Sequence, residues 1–292
     1  MKINFTKMHG CGNDYVYVNG TAERIRDKAA FARFVSDRHF GIGADGAIFI
    51  NTKESALTWT DGADFEMEMY NADGSRSEMC GNGIRCVAKY VYDHGLTDKE
   101  EVNIVSAGAL KPIRLTIENG EAVKARVNMG APILAPGDIP VGIPGHEDDA
   151  RIVDVPIPVM DGMYRVTCVS MGNPHAVVFV PETEGLDLDQ IGPYFENHAY
   201  FPRRINTEFV KVMDKNHVTM RVWERGTGET LACGTGCCAT AVACVLNGLT
   251  EEKVFVKVLG GELEIEWDRE ADLVYMTGPA TTVFSGEIDW QE

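Results

Sequence analysis

The sequence predicts an α+β fold of two pseudo-symmetric domains. Each is expected to be a mostly antiparallel β-sheet or barrel around a central helix, with the active site in the cleft between them. Three observations carry this reading. Short β-rich runs alternate with a few helical stretches along the 292 residues. The segment Cys80-Gly81-Asn82-Gly83 returns as Cys233-Gly234-Thr235-Gly236, and Gly95-Leu96 returns as Gly248-Leu249, both at an offset of 153 residues. A second echo joins Gly12-Asn13-Asp14-Tyr15-Val16 to Gly172-Asn173-Pro174-His175-Ala176, each a Gly-Asn turn leading into an apolar strand.

Strands are predicted at Met1 to Thr6, Tyr15 to Val18, Ala47 to Ile50, Val123 to Met129, Ala176 to Val180, Glu208 to Val212 and Leu263 to Trp267, from their β-branched and aromatic content or their alternation. Helices are predicted over Ala22 to Arg38, Gly81 to His94 and Gly234 to Asn247, the last two stopped by Gly95 and Gly248. The Pro- and Gly-rich stretch from Gly130 to Pro158 opens the second half. This gives domains of 1–128 plus 276–292, carrying Cys80, and 129–275, carrying Cys233.

A chain of this length with 45% hydrophobic residues buries a substantial core. Its 27 basic and 44 acidic residues give a net charge of −17, which repels a phosphate backbone and an anionic membrane surface alike, so neither nucleic acid nor membrane is an expected partner. No run is long enough to span a bilayer and no apolar signal stretch precedes the first strand, so a cytoplasmic protein is expected. The eight cysteines are too sparse for a disulfide scaffold and fit a reducing compartment.

Cys80 and Cys233 stand apart from the other cysteines because each immediately precedes a Gly-x-Gly turn that opens a helix. Unpaired N–H groups and the positive end of the helix dipole favour thiolate there, which is expected to lower the thiol pKa. The same glycines let the backbone approach a carboxylate. If the halves face one another, a substrate α-carbon lies between two sulfurs. One thiolate then removes the α-proton and the opposite thiol returns a proton to the other face, which inverts the centre without a cofactor. Cys86, Cys168, Cys237, Cys238 and Cys244 lack such a turn and read as buried filler. Cys11, beside the Gly-Asn turn, fits either role.

The run Met69-Tyr70-Asn71-Ala72-Asp73-Gly74-Ser75 through Cys80-Gly81-Asn82-Gly83-Ile84-Arg85-Cys86 resembles the diaminopimelate epimerase family. Four further segments agree: Lys7 to Gly10 with Gly12 to Tyr15, Gly172 to His175, Arg204 to Phe209, and Glu224 to Thr230 leading into Ala232 to Gly236. The resemblance implies interconversion of LL- and meso-diaminopimelate, a step toward lysine and cell-wall precursors, by a cytoplasmic homodimer of two-domain subunits with no cofactor and no metal. It assigns base and acid to Cys80 and Cys233, and the reacting carboxylate to Gly81-Asn82 and Gly234-Thr235. Asn13, Asn71, Asn173, Asn206, Glu224 and Arg225 become further substrate contacts, with His175 and Glu224 influencing the thiols. The chemistry suits a substrate with a second amino-acid end, since Asn both donates and accepts and Arg forks a carboxylate. Where some of the family carry Gln after the Gly-x-Gly-x-Asp segment, this chain has Gly46, so that contact is absent.

Other readings are weaker. Gly41-Ile42-Gly43-Ala44-Asp45-Gly46 spells a dinucleotide fingerprint but follows a helix and precedes a strand, the reverse of the required order. The cysteine spacings do not fit zinc modules. A proline or hydroxyproline racemase needs no second polar set. A redox or binding protein predicts that Cys80→Ala leaves ligand binding intact with no turnover to lose.

Overall fold

A computed structural model describes residues 1–77, 80–146 and 150–291 of the chain. Residue 292, at the end of the expected first domain, and residues 147–149 within the expected 130–158 stretch lie outside the described residues. The chain divides into two compact units, Met1–Asn128 with Thr277–Glu292, and Met129–Met276.

The first unit runs β1 (Lys2–Gly10), β2 (Asn13–Asn19), α1 (Lys28–Ser36), β3 (Gly46–Asn51), β4 (Phe65–Asn71), β5 (Arg76–Ser77), α2 (Gly81–Asp93), β6 (Glu101–Ser106), β7 (Ala109–Glu118) and β8 (Glu121–Gly130). The second runs β9 (Val155–Val159), β10 (Gly162–Ser170), β11 (Pro174–Phe179), α3 (Leu188–Glu196), β12 (Asn206–Val212), β13 (His217–Glu224), β14 (Gly228–Thr230), α4 (Gly234–Leu246), β15 (Lys253–Val258), β16 (Gly261–Asp268) and β17 (Leu273–Pro279). Last comes β18 (Thr281–Asp289), which pairs antiparallel with β1 from Lys2↔Asp289 to His9↔Thr281 and closes the first unit.

Both units use one topology. In the first, β1 pairs antiparallel with β2, β2 parallel with β3, β3 antiparallel with β4, β4 parallel with β6, and β6 antiparallel with β7. In the second, β10, β11, β12, β13, β15 and β16 repeat those five relations in the same order. Each parallel pair needs a crossover, and a helix supplies it: α1 and α3 between the first parallel strands, α2 and α4 between the second. The expected mostly antiparallel α+β architecture is therefore observed. In α2 every residue from Gly81 to Val91 is buried, and α4 contacts β10, β11, β12, β13, β15 and β16, so each is the central helix of its unit. Both helices end alike. Leu96 N–H donates to Val91 O and Gly95 N–H to Tyr92 O; Leu249 N–H donates to Cys244 O and Gly248 N–H to Val245 O. These are paired Schellman stops with Gly95 and Gly248 at φ +67.

Two expectations need correction. The helix expected over Ala22 to Arg38 is α1, Lys28–Ser36 only. Ala22 and Glu23 N–H groups bond Asn19 O, Asp27 Oδ1 caps the helix at Ala30 N–H, and Asp37 Oδ1 takes the His39 and Phe40 N–H groups beyond its end. Local side-chain acceptors thus outcompete helix extension at both ends. Second, α3 was not anticipated. It lies 160 residues after α1, with Asp187 Oδ1 capping Gln190 N–H as Asp27 caps Ala30. The cores repeat as well: Phe31 of α1 meets Phe49 of β3 at 6.0 Å between ring centroids, and Phe195 of α3 meets Phe209 of β12 at 5.4 Å.

In the second unit α3 also holds the end of β13. Glu196, nearly fully buried, accepts from Trp223 Nε1 at 2.7 Å, Gly226 N–H at 2.9 Å and Arg204 Nη1 at 2.9 Å. Glu196→Ala strands the indole N–H and frees the Gly226 turn, and is expected to lower the unfolding free energy in urea by about 2 kcal/mol or more, with Glu196→Gln losing less.

Candidate active site

Each central helix begins at a cysteine. Cys80 precedes α2 with extended backbone at φ −137 and ψ 111, and Cys233 precedes α4 at φ −110 and ψ 109. The first N–H groups of a helix have no intrahelical acceptor, and an oxygen from Ser, Thr, Asp or Asn usually supplies one. Here the acceptor is sulfur: Gly83 N–H donates to Cys80 Sγ at 3.2 Å, and Gly236 N–H donates to Cys233 Sγ at 3.4 Å. Glycine at both donors lets each turn press against the end of a neighbouring side chain, which a Cβ would have to displace. A Cβ on Gly83 would lie 2.8 Å from Ile48 Cδ1, and one on Gly236 would lie 2.6 Å from Glu208 Oε1.

Around Cys80 the first unit assembles a polar network. Cys80 Sγ donates to Asn13 Oδ1 at 3.2 Å, and Asn82 Nδ2 donates to the same oxygen at 3.4 Å. Asn13 Nδ2 donates to Asp45 Oδ2 at 2.9 Å. Behind the turn, the wholly buried Arg85 donates to Gly81 O at 3.1 Å, Asn82 Oδ1 at 3.0 Å and Pro279 O at 3.2 Å. Cys11 occupies a two-residue hairpin turn with Gly12, at φ +55 and +83, and is a turn residue with a buried side chain. Asn71 stays within its own turn, donating from Nδ2 to Ser75 Oγ at 3.0 Å, and joins the network through Ala72 N–H, which donates to Asp45 O at 3.0 Å. A Cβ at Gly46 would lie 2.1 Å from Tyr70 O, so this backbone admits only glycine there.

Around Cys233 the second unit builds different chemistry at matching positions. His175 Nδ1 lies 2.7 Å from Glu208 Oε1 and Nε2 lies 3.0 Å from Asn173 Oδ1, with His175 and Glu208 both fully buried. Cys233 Sγ is 3.5 Å from Thr235 Oγ1. Asn206 Nδ2 donates to Pro174 O at 2.8 Å, and its Oδ1 accepts from Arg225 N–H at 2.9 Å, while Arg225 Nη1 donates to Arg203 O at 2.9 Å. Glu224 accepts from Thr230 Oγ1.

The expectation that the helix terminus lowers both thiol pKa values is overturned. Burial outweighs it, so the Cys80 thiol lies above its ordinary range although the Gly83 and Asn82 N–H groups, the Tyr15 hydroxyl and the Arg85 charge all favour its thiolate. Cys233 is pushed up further: after burial, the Glu224 and then the Glu208 carboxylates oppose a second negative charge, against weaker help from Thr235 and Gly236 N–H.

Four residues of this arrangement escaped the sequence reading: Tyr15, Asp45, Arg85 and Glu208. The repeat contained a signal for two of them. At the 160-residue offset Tyr15 answers to His175, and Ile48 beneath Gly83 answers to Glu208 beneath Gly236.

Residues 5–135 and 167–283 match the family described as diaminopimelate epimerase. A diaminopimelate epimerase of Agathobacter rectalis is 56% identical over 290 residues, covering 98% of this chain and 99% of its own. That of Methanococcus maripaludis is 52% identical over 287 residues, covering 98% and 100%. Among solved structures, a PhzF-family phenazine biosynthesis protein of Bacillus anthracis superposes with TM-score 0.67 at 16% identity, over 99% of this chain and 100% of its own. A hydroxyproline epimerase of Agrobacterium vitis does so with TM-score 0.66 at 15% identity, over 98% and 91%. These likenesses establish a shared fold.

Both thiols stay largely protonated at neutral pH, and the carboxylates set them apart. Alkylation by iodoacetamide, read residue by residue by mass spectrometry, is expected to be slower at Cys233 than at Cys80 between pH 7 and 9. The Cys233 rate should still be rising where that of Cys80 levels off.

Proposed function

The chain belongs to the diaminopimelate epimerase family, and on that premise we propose that it interconverts LL- and meso-2,6-diaminopimelate by two-base proton transfer through Cys80 and Cys233, without a cofactor. The observation that carries this reading is the twofold occurrence of one device: a sulfur at a helix N-terminus, capped by a glycine N–H, at equivalent places in two similarly folded units.

In this mechanism the α-C–H bond breaks as one sulfur, acting as thiolate, takes the proton, and the electron pair delocalises into the adjoining carboxylate. The S–H bond of the other cysteine then breaks and its proton joins the opposite face of the carbon, leaving that sulfur as the thiolate. The reverse direction exchanges the roles. Donors at the two helix starts, Gly81-Asn82 and Gly234-Thr235, hold the carboxylate where charge accumulates, and such preorganised donors are most effective away from water. The raised thiol pKa values fit a cycle in which a proton must be both taken and given, since a thiol locked as thiolate is a poor donor.

Asn13, Asn71, Asn173, Asn206, Glu224 and Arg225 form the proposed contacts to the remaining polar groups of the substrate, including its distal amino-acid end. Their amides and guanidinium match that pairing of ammonium and carboxylate. His175 and Glu224 act through charge and hydrogen bonding on Cys233. A cytoplasmic homodimer serving lysine and cell-wall precursor synthesis completes the proposal. The family resemblance supports that part, and no helix among the described residues is long and apolar enough to cross a membrane.

Reduced protein incubated with LL-diaminopimelate in heavy water, without added pyridoxal phosphate or metal, is expected to incorporate α-deuterium and form the meso isomer. Cys80→Ser and Cys233→Ser are each expected to reduce isomer formation more than about 100-fold with the fold retained. Full turnover by either single variant would sink the two-base reading.

A further inference from the structure

The Gly41–Gly46 loop, whose place between a helix and a strand does not suit a dinucleotide, has a different use. We propose that Asp45 is a positioning residue for the Cys80 thiol: it fixes the Asn13 amide with its carbonyl oxygen toward Sγ and so holds Cys80 as a proton donor. The proposal rests on the two-base reading of Cys80.

The argument is one of hydrogen-bond polarity. A carboxylate only accepts, so the Asn13 group 2.9 Å from Asp45 Oδ2 is the amide nitrogen, and Oδ1 is the atom 3.2 Å from Cys80 Sγ. The same orientation is favoured, through a longer contact, from the other side. A guanidinium only donates, so Arg85 Nη2, 3.0 Å away, takes Asn82 Oδ1 and leaves Asn82 Nδ2 to face Asn13 Oδ1 at 3.4 Å. The order of donors and acceptors is thus fixed at both ends, by Arg85 inside the unit and by Asp45 at its surface.

Asp45 is itself anchored. Its Oδ1 accepts from Arg38 Nη2 at 2.9 Å, its Oδ2 also accepts from Asp14 N–H at 3.2 Å, and its backbone N–H donates to Asp14 O at 2.8 Å. An amide carbonyl facing sulfur is an acceptor for S–H and favours the thiol. A flipped amide would offer N–H and favour the thiolate. The other ionisable groups facing Cys80 are Tyr15 and Tyr17 of β2 and Arg85 and Cys86 of α2; the Asp45 charge also raises the Tyr15 hydroxyl, an effect that Asp45→Ala and Asp45→Asn remove alike, so the difference between the two variants reports the hydrogen bond. At the 160-residue offset Asp45 answers to Ile205, which cannot accept a hydrogen bond from its side chain, so the device belongs to the first unit.

The test compares wild type, Asp45→Ala and Asp45→Asn by two readouts: the pH midpoint of Cys80 alkylation, which needs no substrate, and kcat against KM for epimerisation. Asp45→Ala is expected to lower the midpoint by about one pH unit, the scale of one hydrogen bond exchanged for its opposite, and to reduce kcat about tenfold with KM changed far less. Asp45→Asn, whose Oδ1 still accepts from Asn13, is expected to keep the wild-type midpoint and a kcat nearer wild type. Two results overturn the proposal: an Asp45→Ala variant with wild-type midpoint and kcat, or equal losses in both variants at an unchanged midpoint. If Asp45→Ala fails to fold, Asp45→Ser, too short to reach Asn13, is judged by the same criteria. Wild-type protein inactive on diaminopimelate would instead remove the functional reading, while the midpoint still decides what Asp45 does to the thiol.

Discussion

The interaction on which most of the rest depends is the bond from a glycine N–H to a cysteine sulfur at the start of each central helix. Sulfur is a weaker acceptor than the oxygens that usually cap helices, so the position costs some helix stability. Tertiary burial offsets that cost. Both helices are enclosed by their own sheets, and a helix so held does not need its cap to form. The glycines then have a second consequence. Because no side chain stands at Gly83 or Gly236, each turn lies directly on a strand, against Ile48 of β3 and Glu208 of β12. Strand, turn and sulfur form one rigid assembly, which is how a sheet of ordinary β-rich sequence places a thiol.

On that repeated frame the two halves have diverged chemically. Position by position, Tyr15 answers to His175, Gly46 to Asn206, Ile48 to Glu208, Asn71 to Glu224 and Arg85 to Cys238. The first thiol therefore lies near a buried cation and neutral partners, the second near two carboxylates, one of them bonded to His175. Burying Arg85 in one unit and Glu208 in the other carries a large desolvation penalty; charge-assisted hydrogen bonds offset it for Arg85, whereas Glu208 is bonded through Oε1 to His175 and its buried Oε2 finds no hydrogen-bond partner among the described residues. A fold maintained only for stability would have little reason to keep either. The difference makes two chemically identical side chains unequal acids.

Much of this arrangement was legible in the sequence because the repeat is written in residue types with narrow uses. Cys-Gly-x-Gly before a helix and Gly two residues past its last turn marked α2 and α4 to within a residue. The strands through Tyr15, Ala47 and Glu208 were readable from their apolar content. The ends of α1 were not, since they depend on side chains of Asn19, Asp27 and Asp37 competing for nearby N–H groups, which periodicity does not register. The helix α3 escaped because Gly192 and Pro193 obscure its pattern, although its Asp cap sits at the offset already visible between Asn13 and Asn173. Within the site, the cysteines and asparagines were accessible as motif residues. Asp45, Arg85 and Glu208 were not, because their importance lies in what they face across the chain: Asn13 from 32 residues away, Pro279 from 194, His175 from 33. Thiol acidity was misjudged for a related reason, as a helix terminus can be read from a motif but the depth of burial cannot.

The pairing of β1 with β18 determines the order in which the molecule can be completed during synthesis. Every strand of the second unit up to β16 is present in the nascent chain before β18 exists. The first unit meanwhile waits with β1 unpaired along one edge until residues 281–289 emerge. The half made first is thus finished last, and its open edge is exposed to other chains through nearly the whole of translation. β1 meets that exposure with Lys2, whose ammonium pairs with Glu287 of β18 in the finished unit and discourages a foreign strand until that partner arrives.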